Sequence, residues 1–175
     1  MHTKLVRTPA IYVVGFMGSG KSTVGAALAD ELGWDFTDLD HEIEKEARAS
    51  ISEIFAEQGE PEFRRVENEV LHRLIRNIQF GRPCVMAIGG GTFVQRNNFE
   101  LLEDNGVSIW LDATLEQIRE RIAGHTHRPL AQDPVEFEKL FHARQENYAR
   151  ADFRIETPGN DAAETVRRIL ALPLF

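Results

Sequence analysis

The sequence predicts an α/β protein, a three-layer α/β/α sandwich around a central, mainly parallel five-stranded sheet. Short runs rich in β-branched and aromatic residues alternate with longer amphipathic segments, which is the pattern of βαβ units. A glycine-rich loop typical of phosphate binding follows the first of these runs. The length of 175 residues fits one domain, so we expect residues 1–175 to fold as a single unit that contains this loop.

Apolar runs that stop at glycine or at polar residues predict the strands. The predicted strands lie at 11–14, 35–37, 84–88, 107–111 and 153–156. Apolar residues at three- and four-residue intervals predict helices between them, at 21–32, 39–47, 51–58, 61–78, 97–104, 114–122, 135–150 and 161–170. Two helices have start signals, because Gln117 follows Thr114 and Glu164 follows Asp161 at the spacing of a capping box.

The connection at 124–134 lacks a sustained apolar period and contains a glycine, two prolines, His125, His127 and Arg128. Loops of this length in compact domains are commonly functional or disordered, so we predict a mobile lid here. The two histidines have no partner at a metal-ligand spacing, and we interpret them as exposed loop residues.

Composition argues against several classes of protein. The formal net charge of −8 disfavours binding to nucleic acid or to a membrane surface, since both require a basic face. The single cysteine, Cys84, lies in an apolar strand, where it cannot form an internal disulfide and has no predicted catalytic role. No apolar segment is long enough for a signal sequence or a membrane span, so we expect a cytoplasmic protein.

The strongest functional signal is the segment 15–22, which fits G-x-x-x-x-G-K-[ST] between a strand and a helix. Glycines allow consecutive backbone N–H groups to turn towards phosphate oxygens at the helix N-terminus. Lys21 would reach the β- and γ-phosphates of ATP, and the Ser22 hydroxyl would bind Mg²⁺. The predicted nucleotide contacts in this loop are Gly18, Ser19, Gly20, Lys21, Ser22 and Thr23. A chance glycine-rich turn is the weaker interpretation, because it would also have to fall directly after the first strand.

Two carboxylates, Asp38 and Asp40, follow the second predicted strand. In an extended chain they would point the same way, towards the ligand crevice at the carboxyl edge of the sheet. One would then hold a water molecule bound to Mg²⁺, while the other accepts a proton from the attacking hydroxyl or orients it. The alternative is a helix cap and a first-turn acid ahead of Ile43, and both interpretations stay open.

A glycine run and three arginines complete the candidate site. Gly89, Gly90 and Gly91 end a buried strand and permit close backbone approach to a ligand, although a wide loop would also explain them. Arg64 and Arg144 lie in helical patterns, where a solvated arginine is the default, yet guanidinium groups are the preferred partners of a carboxylate ligand. Arg128 in the predicted lid would stabilise the transferred phosphoryl group.

Taken together, these residues resemble the shikimate kinase family over nearly the whole chain. The matching segments are 15–23, 38–40 with Ile43 and Glu44, Ser50 and Ile51 with Ile54 and Phe55, Gly59 and Glu60 with Phe63, Arg64 and Glu67, then 89–91, Trp110 and Leu111, 128–130, and Arg144. The phosphate loop alone fits many nucleotide-binding families, whereas the ordered set is specific to this one.

The resemblance implies a fold related to nucleoside monophosphate kinases and transfer of phosphate from ATP, with Mg²⁺, to the 3-hydroxyl of shikimate in aromatic amino-acid biosynthesis. Helices at about 39–78 would bind the substrate, and about 124–134 would form the lid. The implied roles are catalysis by Lys21, Asp40 and Arg128, a metal contact at Ser22 and Asp38, adenine stacking on Arg121, further nucleotide contact at Arg128, and substrate contacts at Asp40, Arg64, Gly89, Gly90, Gly91 and Arg144. We expect a monomer.

The chain departs from the family pattern at Arg48, where the family usually has glycine, and at 145–148, where it often has x-Pro-Leu-Tyr. Two other functions compete with the resemblance. A related kinase for gluconate would keep the phosphate loop and also bind a carboxylate. A non-enzymatic nucleotide switch is disfavoured, because the sequence has no Asn-Lys-x-Asp motif.

Overall fold

The computed structural model describes residues 10–123 and 133–174, which contain one sheet with helices on both faces. Its strands are β1 (Ala10–Val14), β2 (Asp35–Asp38), β3 (Cys84–Ala87), β4 (Val107–Asp112) and β5 (Phe153–Glu156). The strand order is β2-β3-β1-β4-β5, and every neighbouring pair is parallel. The predicted α/β class is confirmed, and the sheet is entirely rather than mainly parallel.

The helices follow the predicted segments closely. They are α1 (Lys21–Leu32), α2 (Leu39–Ala47), α3 (Ile51–Phe80), α4 (Arg96–Asn105), α5 (Leu115–Ile122), α6 (Pro134–Tyr148) and α7 (Ala162–Leu170). Thr114 and Asp161 cap α5 and α7 through side-chain bonds to the third backbone N–H, as their spacing predicted. None of the helices in the described part of the chain is long and apolar enough to cross a membrane.

The central strand β1 is buried on both faces and so joins two hydrophobic layers. Tyr12 and Val14 belong to the cluster formed with α3, α4 and α6, whereas Ile11 and Val13 belong to the cluster formed with α1 and α7. Alternate side chains of a strand point to opposite faces, so β1 separates these two layers. This arrangement gives the three-layer sandwich.

Helix α3 contains a break at Gly59, where the backbone has φ 81° and ψ 172°. Glycine reaches this positive φ without the steric penalty of a Cβ atom, and Pro61 starts a second helical segment two residues later. The sequence predicted two helices at 51–58 and 61–78, and the break lies between them. It turns the first segment, with Phe55, over the carboxyl edge of the sheet.

Arg48 caps the C-terminus of helix α2. Its φ is 53°, and among the described residues it is the one non-glycine residue with a positive φ. The left-handed conformation costs an L-residue about 1–2 kcal/mol. Replacing this exposed residue by glycine removes that cost but increases the entropy of the unfolded chain, so we expect Arg48→Gly to raise the free energy of unfolding by about 0.5–1 kcal/mol. Urea denaturation measures the change. Arg48→Ala is the control, and equal stability of the two variants would contradict the strain.

Candidate active site

A cavity of about 600 Å³ opens at the carboxyl ends of β1, β2 and β3. It brings together residues that the sequence analysis singled out in distant parts of the chain. They are Gly18, Gly20, Lys21, Ser22, Thr23, Asp38, Asp40, Arg64, Gly89, Gly90, Gly91 and Arg144. Ser19 and Arg121 line a second cavity of about 200 Å³, and Gly20 and Thr23 line both. Arg128 and the predicted lid up to residue 132 lie outside the described residues.

The glycine-rich loop leaves β1 and ends where α1 begins. Gly18 and Gly20 have φ values of 76° and 94°, which glycine adopts readily, and no side chain caps α1 at Gly20. The Ser19 hydroxyl is buried with no hydrogen-bond partner in the described structure. The Lys21 ammonium lies back over the loop and donates to the Phe16 carbonyl oxygen at 2.9 Å. An uncapped helix N-terminus with a lysine beside it suits a phosphate ligand.

Asp38 caps α2 and also contacts the phosphate loop. Its Oδ1 accepts from the backbone N–H groups of Asp40 at 3.0 Å and His41 at 3.4 Å. Its Oδ2 accepts from the Ser22 hydroxyl at 2.5 Å. The cap interpretation is therefore right for Asp38, and the same carboxylate lines the cavity through its second oxygen.

Asp40 lies in the first turn of α2, so of the two interpretations left open the helix cap with a first-turn acid is the one that the structure has. Its carboxylate nevertheless reaches the cavity, because a Cβ atom placed on Gly89 would lie 2.7 Å from Asp40 Oδ1. Two acids that the sequence places two residues apart thus line one cavity from a cap and from a first helical turn.

A hydroxyl and a carboxylate meet where Ser22 contacts Asp38. The described residues contain no group of three or more histidine, cysteine, aspartate or glutamate side chains that would hold a metal alone. Magnesium prefers oxygen ligands and commonly binds through one or two protein groups, waters and substrate phosphates. The donors present therefore fit a Mg²⁺ ion that arrives with a nucleotide.

The glycine run matters for space rather than for unusual backbone angles. None of Gly89, Gly90 and Gly91 has a φ in the range that favours glycine. A Cβ atom on Gly89 would meet Asp40, and one on Gly91 would lie 2.8 Å from Arg64 Nη2. The strand end therefore fits directly between the acid and the arginine.

Arg64 is held by a carboxylate that the sequence analysis did not single out. Its Nη1 lies 2.9 Å from Glu67 Oε2 and 3.1 Å from Oε1. Glu67 is 1% exposed and also accepts from the Thr92 hydroxyl at 2.6 Å and from Asn98 Nδ2 at 3.4 Å. The signal was available, because residues three apart on a helix lie on the same face.

Arg144 lies on α6 and reaches the same cavity as Arg64. Its Cζ lies 5.7 Å from the centroid of the Phe16 ring, and its Nη1 would lie 3.2 Å from a Cβ atom on Gly90. Arg64 and Arg144 thus flank neighbouring glycines, Gly91 and Gly90. The family resemblance implied that this pair binds the substrate, and the structure places both guanidinium groups at one cavity.

The second cavity is closed at one side by Arg121. The guanidinium donates to Asn160 Oδ1 at 2.8 Å, to the Gly18 carbonyl at 3.1 Å and to the Gly159 carbonyl. Burial lowers the pKa of Arg121 from its usual value. Thr157, Asn160 and other residues of the β5–α7 connection line this cavity and were not predicted from the sequence.

Aromatic side chains form the wall of the larger cavity. The rings of Phe55 and Phe63 lie 4.5 Å apart, and both residues line the cavity between the break in α3 and Arg64. Phe55 remains 38% exposed, which is unusual for such a large apolar side chain. A partly apolar ring or hydrocarbon ligand would cover this surface.

Two buried tyrosines make stability sensitive to alkaline pH. Burial raises the pKa of Tyr148 to about 12, against an opposing effect of Arg144, and raises that of Tyr12 as well. The native state keeps protons that the unfolded chain loses above about pH 10, so stability is complete below pH 10 and falls as pH rises towards 12. Between pH 10 and 12 we expect the free energy of unfolding of Tyr148→Phe to fall less steeply than that of the wild type, by about 1.4 kcal/mol per pH unit. Urea denaturation from pH 9 to 11.5 measures it, and parallel curves for the two proteins would contradict the shift.

A parallel α/β sheet with a phosphate loop after its first strand, beside a cavity lined by acids and arginines, has the architecture of small-molecule kinases that use ATP. The family model described as shikimate kinase matches residues 17–172. The chain belongs to the shikimate kinase family, and it is an ATP-dependent kinase.

Individual proteins that are similar to this chain include other shikimate kinases. A shikimate kinase of Persephonella marina is 44% identical over 91% of this chain and 96% of its own length. The structure of an Acinetobacter baumannii shikimate kinase in complex with shikimate matches with a TM-score of 0.85 and 36% identity, over 97% of this chain and 95% of that one. A gluconokinase from Sinorhizobium meliloti, with a TM-score of 0.58 and 19% identity over 94% of this chain and 91% of that one, shares the fold alone.

Proposed function

We propose that this chain transfers the γ-phosphoryl group of ATP to the 3-hydroxyl of shikimate, and that it thereby gives shikimate 3-phosphate and ADP on the route to chorismate and the aromatic amino acids. The observation that carries the proposal is the larger cavity, which joins the phosphate loop to Asp40 and to two arginines. In this proposal the chain acts as one cytoplasmic domain and as a monomer.

The two cavities divide the nucleotide between them. The larger cavity takes the phosphates, with the backbone from Gly18 to Thr23 and the Lys21 ammonium as donors. The smaller cavity, beside Arg121 and Thr157, takes the adenine. The cavities share Gly20 and Thr23, so a single nucleotide would extend from one into the other.

Ser22 and Asp38 would hold Mg²⁺ together with the nucleotide phosphates and water. The ion supplies neutralisation of the charge that develops on the phosphates when it is bound. The protein's own part is to keep the hydroxyl of Ser22 and the carboxylate of Asp38 together, which the cap of α2 does by fixing Oδ1 of Asp38 while Oδ2 contacts Ser22.

The acceptor is held at both ends. Arg64 and Arg144 bind its carboxylate by charge-assisted hydrogen bonds, and the buried Glu67 keeps Arg64 in place. Asp40, across the glycine run, orients the attacking hydroxyl and accepts its proton. Phosphoryl transfer requires mainly positioning and charge stabilisation, so these fixed groups account for most of the protein's contribution.

Arg128 keeps its predicted role, which is to stabilise the transferred group when the lid at 124–134 closes. Closure would exclude water from the phosphoryl group and so favour transfer to the acceptor over hydrolysis. Both statements rest on the sequence, because residues 124–132 lie outside the described structure.

A coupled assay of ADP release tests the proposed function. ATP, Mg²⁺ and either shikimate or gluconate are supplied, since gluconate is also a hydroxylated carboxylate. We expect release that depends on shikimate and not on gluconate. Release with gluconate alone would move the chain to another acceptor, and release that needs neither acceptor would make it an ATPase.

A further inference from the structure

Tyr148 connects the glycine run to the helix that carries Arg144. It lies at the end of α6 and is fully buried. Its hydroxyl donates to the carbonyl oxygen of Gly90 at 2.8 Å. The bond joins residues that are 58 positions apart in the chain, so it fixes α6 against the loop that follows β3.

The same hydroxyl lies near the Arg144 guanidinium, whose positive charge opposes the rise in the pKa of Tyr148 that burial causes. The two residues are one helical turn apart, which places their side chains on the same face of α6. Both meet at Gly90, since a Cβ atom there would lie 3.0 Å from the Tyr148 hydroxyl oxygen and 3.2 Å from Arg144 Nη1. Guanidinium, phenol and carbonyl therefore lie together at the wall of the cavity, with the phenol bonded to the carbonyl.

The phenol is well suited to hold this position. Its ring packs against Phe93, at 6.4 Å between centroids, and against Trp110, at 6.1 Å, so the hydroxyl has little freedom to move. A phenol can accept one hydrogen bond and donate another at the same time. It stays neutral throughout the physiological pH range because burial disfavours the phenolate.

The two arginines of the cavity are thus held in chemically different ways. Arg64 is paired with the buried carboxylate of Glu67, which offsets much of its charge. Arg144 lies beside a neutral phenol, and within residues 10–123 and 133–174 it forms no ion pair like that of Arg64. The phenol orients the guanidinium but leaves its charge uncompensated, so that charge remains to attract an anionic ligand.

We infer that Tyr148 is a positioning residue for the acceptor, which sets the guanidinium of Arg144 and the backbone of Gly90 in one arrangement. The inference rests on the proposed function, in which both groups contact the acceptor. It adds a residue outside the cavity lining, and it assigns to the hydroxyl, rather than to the ring, the effect on acceptor binding.

Replacing Tyr148 by phenylalanine keeps the ring and removes the hydroxyl. We expect the KM for shikimate to rise about 10-fold, while kcat and the KM for ATP change less than about twofold. In an Arg144→Ala background the same replacement should change the KM for shikimate less than about twofold, because the guanidinium that the hydroxyl orients is absent.

Tyr12→Phe is the matched control. Tyr12 is the other tyrosine of the chain, is also fully buried, and donates its hydroxyl to a backbone carbonyl, that of Asn105, at 3.0 Å. Both variants should lose similar thermal stability, but only Tyr148→Phe should weaken acceptor binding. An equal KM for shikimate in the two variants, or additive effects of Tyr148→Phe and Arg144→Ala, would overturn the inference.

A measurement without any ligand separates this inference from the proposed function. The amide ¹⁵N resonance of Gly91 reports hydrogen bonding to the Gly90 carbonyl, and it should shift in Tyr148→Phe but not in Tyr12→Phe. An unshifted resonance would overturn the inference even if shikimate is phosphorylated. If wild-type protein releases no ADP with shikimate while the resonance does shift, the proposed function fails, and with it the role in acceptor binding, although the contact stands.

Discussion

Asp40→Asn is expected to reduce kcat about 10²- to 10⁴-fold, the usual contribution of a positioned acid or base. Asparagine keeps the shape of the side chain and its place beside Gly89, but the amide cannot accept the proton of the attacking hydroxyl. The KM for ATP should change little, because the phosphate loop and Asp38 are untouched. Steady-state ADP release with varied ATP and shikimate separates the two effects.

Asp35→Asn is the control for Asp40. Asp35 lies at the exposed start of β2, on the same segment but outside the cavity. The Asp35→Asn variant should have the same kcat as the wild type. Near wild-type turnover in Asp40→Asn would remove Asp40 from the chemical step and leave it as a first-turn acid of α2.

Arg64→Ala is expected to raise the KM for shikimate about 100-fold, since it removes one partner of a charged contact that is largely shielded from solvent. It should also lower the free energy of unfolding by about 1–3 kcal/mol, because the buried Glu67 carboxylate loses its charged partner. ATP binding, measured by titration calorimetry, should stay close to that of the wild type.

The neighbouring Arg65 supplies the control for Arg64. It is more exposed, and it pairs with Glu62 and Glu69 on the solvent side of α3. Arg65→Ala should leave the KM for shikimate unchanged and alter stability by less than about 1 kcal/mol. If Arg64→Ala also leaves the acceptor KM unchanged, binding of the acceptor carboxylate is assigned to the wrong residue.

The spacing of apolar residues, together with glycine, proline and capping residues at the ends of segments, was sufficient to predict the fold. Apolar runs mark the strands, capping residues mark the starts of α5 and α7, and Gly59 and Pro61 mark the break in α3. These signals are local, because they depend on backbone geometry and on neighbouring side chains. Local signals also predicted the phosphate loop, whose glycines and lysine lie within one short segment.

The candidate site is formed by contacts between distant segments of the chain, and the sequence analysis predicted fewer of these contacts. Asp40 lines the cavity, but the sequence left open whether it would do so from an extended strand or from a helical turn, and it lies in a helical turn. Glu67 belonged to the matching residues but received no role, because its contact with Thr92 joins α3 to the loop after β3. Neither partner reveals this contact in the linear sequence.

Tyr148 shows the same limit more clearly. The sequence analysis noted it only as part of a segment that departs from the family pattern, and nothing near it in the chain indicates Gly90 as a partner. The glycine run itself was predicted to allow close approach, but the groups that approach it, Asp40 and Arg64, became clear only from the packing. Long-range packing decides such pairs, whereas periodicity does not.

The position of the transferred phosphate tests the central claim most directly. After incubation with ATP, Mg²⁺ and shikimate, ³¹P and ¹H NMR of the product identify the oxygen that carries the phosphoryl group. The account predicts a phosphorus signal coupled to the proton at carbon 3 of shikimate. Phosphate on another hydroxyl would contradict the placement of the acceptor between Asp40 and the two arginines, and free inorganic phosphate with unchanged shikimate would contradict the kinase activity itself.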